Sequence, residues 1–176
     1  MNIVLFGLKG VGKTTIGKIL SNSLKKAFID TDTLIEEVFF LSHNKKLPVS
    51  EIYSAVGPLG FRALEFEVVQ SLQDVQQSII AVGGGVMLTY ENRVALCKNS
   101  YMFYLHVSKD VLKTRWSTNG CAPTFLDTNN FDASFDKMYE ERCEIYKKVQ
   151  SKCIDVSNIT PEKTAQNIKH FFEHGK

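Results

Sequence analysis

The chain has 176 residues, 44% of them hydrophobic, which suits one domain with a sizeable core and leaves little room for a second. Lys and Arg number 21 against 19 Asp and Glu, and the net charge of +2 argues against a general nucleic-acid or membrane-surface binder. No apolar run approaches the ~18 residues that a membrane span needs.

In chain order, "NIVLF" (Asn2–Phe6) predicts a strand buried on both faces. The run is too short for a secretory signal and has no basic segment before it. "GLKGVGKTT" (Gly7–Thr15) follows at once and matches G-x-x-x-x-G-K-[ST]. Its glycines allow a sharp turn that brings backbone N–H groups to an anion. A helix starting near Gly12 adds its N-terminal N–H groups and dipole. Lys13 offers a charge to β/γ-phosphates, and Thr14 offers a hydroxyl to Mg²⁺. The glycine order is not that of a dinucleotide turn, and a chance turn would have no need of the Lys-Thr pair.

Lys13–Lys26 then reads as a helix, with Ile16, Ile19, Leu20 and Leu24 at helical spacing. "AFIDTD" is a short strand ending in two acids. Thr33–Leu41 is helical, "NKKLP" a loop, and Pro48–Ala55 a short helix closed by the turn "VGPLG". A longer helix runs from Gly60 through "FRALEFEVVQSLQDV". "SIIAV" is a third buried strand, broken by "GGG". Glu91–Cys97 is a helix, "YMFYLHV" a strand and Lys109–Trp116 a helix. "STNGCAPTFLDTNNFDA" has turn formers and no periodicity, and a loop of this length is expected to be functional. Ser134–Val149 is a helix, "KCIDV" the last strand, and Pro161–Phe172 the last helix, with Pro at its start. Five strands alternating with helices predict an α/β fold, a five-stranded parallel sheet with helices on both faces joined by right-handed crossovers. Ligands in such sheets bind beyond the carboxyl ends of the strands. Gly7, Asp30 with Asp32, and Gly83–Gly85 all fall there.

Phosphoryl transfer to a hydroxyl needs magnesium, a phosphate cradle and a group that orients or deprotonates the acceptor. Asp30 and Asp32 could divide that work, Asp30 through a magnesium-bound water and Asp32 on the acceptor. Capping of the next helix by Thr31 or Asp32 explains "DTD" equally well. Three glycines in "VGGGVM" cost too much entropy for a bare turn and let a ligand touch backbone N–H groups. Arg62 and Arg142 are candidate anion binders, although Arg62 could also pair with Glu65 three residues on. "HFFEH" (His170–His174) fits an inverted zinc-hydrolase pattern but reads as a solvated helix turn. Cys97, Cys121, Cys143 and Cys153 lack metal-type spacing and read as reduced thiols of a cytoplasmic protein, for which the sequon "NIT" is irrelevant.

Together, "GLKGVGKTTIG", "FIDTDTLIE", "FRALE", "VGGGV" and "ERCEIYK" resemble the shikimate kinases, which are nucleoside-monophosphate-kinase-like P-loop enzymes. The order and spacing agree over nearly the whole chain. The resemblance implies one P-loop kinase domain over 1–176, with substrate-binding helices at 33–62 and a mobile lid at 116–132. It implies transfer of the γ-phosphate of ATP to the 3-hydroxyl of shikimate, in aromatic amino-acid biosynthesis, with one Mg²⁺. Gly10, Val11, Gly12, Lys13, Thr14 and Thr15 would bind the nucleotide phosphates, and Arg115 would lie at the adenine face. Thr14 and Asp30 would hold the metal. Asp32 would act as base or orienter, with Lys13 as its catalytic partner. Arg62 and Arg142, positioned by Glu65, would clamp the carboxylate, as a guanidinium fork does best. Gly83, Gly84 and Gly85 would meet the substrate through backbone, with Tyr53 and Phe61 walling the pocket. A monomeric cytoplasmic enzyme is expected, with ATP and shikimate as partners and neither nucleic acid nor membrane.

Three departures stand out. "GPLGFR" lacks the acid that commonly follows its first glycine, and "NITPEK" lacks the basic residue often beside the adenine. In the lid, Ala122 stands where members typically carry an arginine. Either another cation substitutes, with Arg115 and Lys113 the nearest upstream, or the enzyme is sluggish with a loosely ordered lid. Alternatives are a gluconate-type or nucleotide kinase of the same fold, or a weakly active nucleotide-binding interaction protein.

Overall fold

A computed structural model describes residues 1–120 and 122–175. Its one sheet has five parallel strands: β1 (Asn2–Phe6), β2 (Ala27–Asp30), β3 (Ser78–Ala81), β4 (Ser100–His106) and β5 (Lys152–Asp155), in the order β2-β3-β1-β4-β5. Every residue of β1 is buried, and so is every residue of β3. Successive side chains of a strand point to opposite faces, so helices must cover both. The edge strands β2 and β5 are more exposed. The α/β reading holds.

The helices are α1 (Lys13–Leu24), α2 (Thr31–His43), α3 (Val49–Ser71), α4 (Tyr90–Cys97), α5 (Lys109–Asn119), α6 (Phe131–Lys147) and α7 (Pro161–His174). Within α3, Gly57 has φ 71° and ψ 176° and is followed by Pro58, so the span is two helices meeting at a kink. The expected turn at "VGPLG" is this kink, where a positive φ suits glycine and proline ends the preceding helix. Both halves of α3 pack with α2 around a small core of their own, formed by Ile35 and Phe39 of α2, Ile52 before the kink, and Phe61 and Val68 after it.

Two boundaries differ from expectation in ways that matter. Strand β2 stops at Asp30, and Asp32 lies in the first turn of α2 rather than at the strand end. The cause is Asp30 itself, whose carboxylate accepts the Asp32 N–H at 3.1 Å and caps the helix. The capping role weighed for Thr31 or Asp32 therefore belongs to Asp30. The long loop is also shorter than expected. Trp116 lies in α5, which runs on to Asn119, and α6 begins at Phe131. Cys121 and Lys176, which fall within the expected lid and domain, lie outside the described residues. Cys97, Cys143 and Cys153 carry free thiols. His174 stacks on His170 within α7. Among the described residues, no helix is long and apolar enough to cross a membrane.

Candidate active site

Sheet register brings the site together. Leu5 pairs with Ala81, and Ala81 pairs with Asp30. Gly7 and Gly83 thus lie two residues beyond that level on adjacent strands, at the same end of the sheet as Asp30 and the start of α2. A cleft there is lined by Lys9, Lys13, Asp32, Tyr53, Phe61, Arg62, Glu65, Gly83–Gly85, Pro123, Thr124, Phe125 and Arg142, with Val49 and Ser50 at one side.

Gly12 adopts φ 99° as the residue preceding α1, the left-handed turn that aims the first helical N–H groups outward. Val11 is buried in the core, so only its backbone is available to a ligand. The Lys13 ammonium donates to the Gly7 and Leu8 carbonyls at 3.0 and 2.9 Å. Burial lowers its pKa to about 8, against the opposing pull of Asp32 and Asp30. Beside it the Thr14 hydroxyl donates to the Asp30 carboxylate at 2.7 Å, and Thr15 is exposed on the same first turn.

The Asp32 carboxyl is pushed above the usual carboxylate range, first by burial and then by the neighbouring Asp30, while Lys13 and Lys9 draw it down. The glycines after β3 are needed for close approach, not for an unusual φ. A Cβ on Gly83 would lie 2.5 Å from an Asp32 oxygen, and one on Gly85 would strike the Arg62 guanidinium. The Gly83 N–H is already bound to the buried Thr31 hydroxyl at 2.8 Å. Of the three glycines expected to meet the substrate through backbone, Gly83 thus has its N–H engaged within the fold.

Arg62 pairs with the buried carboxylate of Glu65, whose pKa burial raises and Arg62 lowers. Arg142 is buried, which depresses its pKa, and its guanidinium donates to the Gly84 carbonyl at 3.2 Å. Tyr146 donates to that same carbonyl. Both arginines reach the cleft that Tyr53 and Phe61 wall, with ring centroids 5.3 Å apart.

Arg115 and Lys113 do not line the cleft. Arg115 donates to the Val156 carbonyl just beyond β5 at 2.8 Å, and Lys113 pairs with Asp132 at 2.8 Å. Three residues were missed by sequence reasoning. Phe125 comes from the connection between α5 and α6 and stands over the cleft. Trp116 donates its indole N–H to the Lys9 carbonyl at 3.0 Å. Lys9 itself occupies a free position of the phosphate motif, and a cation at such a position is the signal that could have found it.

A protein-family model described as shikimate kinase matches residues 9–173. A shikimate kinase of Thermodesulfovibrio yellowstonii is 33% identical over 172 residues, covering 98% of this chain and 95% of that protein. One of Streptococcus gordonii is 34% identical over 169 residues, covering 96% and 99%. The solved shikimate kinase from Acinetobacter baumannii in complex with shikimate superposes with a TM-score of 0.87 at 26% identity, covering 99% of this chain and 94% of that one. The phosphate loop, the acids beside it and the two arginines thus sit in a frame shared along almost the full length, and the chain belongs to the shikimate kinase family.

Proposed function

We infer that the protein transfers the γ-phosphoryl group of ATP to the 3-hydroxyl of shikimate, giving shikimate 3-phosphate and ADP on the route to chorismate and the aromatic amino acids. The observation that carries this is one cleft holding the phosphate-loop lysine, a buried acid and two arginines. Arg62 and Arg142 bind the carboxylate of shikimate, and Glu65 holds Arg62 in place. Gly83, Gly84 and Gly85, which all line the cleft, let the ring lie close to backbone. Asp32 accepts the proton of the attacking hydroxyl as its oxygen bonds to the γ-phosphorus. The bond from that phosphorus to the β,γ-bridging oxygen breaks, and ADP leaves with the electron pair. Gly10–Thr15 cradle the nucleotide phosphates. Lys13, now bound to loop carbonyls, exchanges them for phosphate oxygens and stabilises the charge that develops there.

The adjacent Thr14 hydroxyl and Asp30 carboxylate are hard oxygen donors and fit Mg²⁺. The ion, when bound, neutralises charge on the β- and γ-phosphates. Residues 1–176 act as one domain, with 33–62 carrying the substrate-binding helices and 116–132 the lid. Arg115 serves the adenine side from its place beside Val156. The protein works as a cytoplasmic monomer.

An ADP-release assay with ATP over shikimate, gluconate and nucleoside monophosphates tests the reading. Turnover is expected with shikimate. Turnover with either of the other acceptors and none with shikimate would overturn it.

A further inference from the structure

Four cations line the cleft, and three are committed. Lys13 is bound to the Gly7 and Leu8 carbonyls, Arg62 to Glu65, and Arg142 to the Gly84 carbonyl and the Phe125 ring. Lys9 is exposed, and its ammonium has neither an ion pair nor a hydrogen bond among the described residues. Its backbone is fixed nonetheless. The Lys9 carbonyl accepts the Trp116 indole N–H, and its N–H side stands against Gly84, where a Cβ would lie 3.2 Å from the Lys9 nitrogen. The side chain leaves this held backbone into the cleft that also holds Asp32, Lys13 and Arg142. Its charge is felt at both Asp32 and Lys13.

We propose that Lys9 is a catalytic residue that places its ammonium on the phosphoryl group in flight between ATP and the acceptor hydroxyl. In-line transfer spreads negative charge over the equatorial oxygens, and a cation aimed there acts more strongly on the transition state than on bound ATP. Lys9 lines one cleft with Lys13 of the phosphate loop, Asp32 and the two arginines, and transfer between the nucleotide and the acceptor would take place there. Among the described residues of the connection between α5 and α6, Pro123, Thr124 and Phe125 line the cleft, and none of them is charged. The phosphate loop therefore provides from below what the lid does not provide from above. The inference rests on the shikimate kinase reading, and wild-type turnover with shikimate is the first arm of its test.

The second arm compares Lys9→Met and Lys9→Arg with wild type. Lys9→Met is expected to lower kcat by about 10²-fold, as loss of one preorganised charge donor does, with KM for shikimate and affinity for MgADP unmoved. Lys9→Arg is expected to keep most of the turnover. Calorimetry with MgADP, shikimate and aluminium fluoride, a mimic of the transferring phosphoryl group, supplies a readout that needs no turnover. Lys9→Met should lose affinity for that mimic in step with kcat while MgADP alone binds as before. An active wild type with an equally active Lys9→Met overturns the proposal and leaves the kinase reading standing. So does a loss of MgADP affinity as large as the loss of kcat, which would make Lys9 a ground-state phosphate binder.

Discussion

The Arg142 guanidinium lies over the Phe125 ring, 4.8 Å from its centroid. One residue belongs to α6 and is buried, and the other comes from the connection that crosses the cleft. A guanidinium can give its face to a ring and its in-plane N–H groups to a carboxylate at once. Phe125 thus restrains the Arg142 guanidinium from one face and leaves its in-plane N–H groups for the carboxylate proposed above. Phe125→Ala is expected to weaken shikimate binding by about 0.5–2 kcal/mol, the range of such a stacked cation, with ATP affinity unchanged. Titration of each ligand separately checks this, and equal losses for both would show a general collapse of the cleft instead.

Removing either arginine should cost more. Arg62→Ala and Arg142→Ala are each expected to weaken shikimate by about 2–5 kcal/mol, as for truncating one member of a desolvated charge pair. ATP should be affected less. Arg62→Ala also leaves the buried Glu65 without its partner, so its thermal unfolding must be followed alongside. An acceptor analogue with a neutral amide in place of the carboxylate gives an answer independent of folding. Wild type binding it as well as shikimate would sink the clamp.

Asp32→Asn is expected to fold and bind ATP yet lose most of its transfer, because the amide cannot take the acceptor proton. Lys13→Ala should lose turnover for a different reason, the missing charge on the β- and γ-phosphates. Near-normal turnover of Asp32→Asn would reduce Asp32 to a side chain that shapes the pocket beside Gly83.

Glu65 gives a pH dependence of known sign. Burial raises its folded pKa above that of the unfolded chain, so the folded state holds the proton more tightly. Its contribution to stability therefore falls as pH rises from the ordinary carboxylate range through the raised folded value. Glu65→Gln lacks that fall. Urea unfolding at steps from about pH 4 to pH 7 should show the stability of Glu65→Gln, relative to wild type, improving as pH rises. A flat difference, or one of opposite slope, would contradict a carboxyl raised by burial.

Ala122→Arg tests the two routes to the missing lid charge together. In the Lys9→Met background it should raise turnover several-fold. In wild type, where Lys9 already supplies a cation, the gain should be smaller. The double-mutant cycle measures that difference directly, and additive effects would mean that the two positions serve different atoms.

How much of this was legible depended on the range of the interaction. β1 and the phosphate loop were readable because a buried strand, a glycine turn and a helix start are local patterns. So was the break at Gly57–Pro58. Asp32 was misplaced by one element because the deciding contact, Asp30 to the Asp32 N–H, is a side-chain cap that periodicity does not register. Arg142 and Gly84 are 58 residues apart, and their hydrogen bond exists only once α6 folds back over the end of β3. Phe125 and Trp116 were invisible for the same reason. An aromatic side chain in a polar loop, or at the end of a helix, shows its purpose only when its neighbour is known. The family resemblance bridged those distances for the arginines but not for Lys9, which departs from nothing in the motif pattern.

Trp116 is the chain's one tryptophan, it is 2% exposed, and its indole N–H is spent on the loop that receives the nucleotide. Its emission therefore arises from a single fluorophore seated against the phosphate cradle, with no second indole to dilute the signal. Movement of the Lys9 carbonyl changes the polarity that this ring senses. A nucleotide that displaces that carbonyl on binding is expected to change Trp116 emission, a signal that a stopped-flow instrument reads without a label.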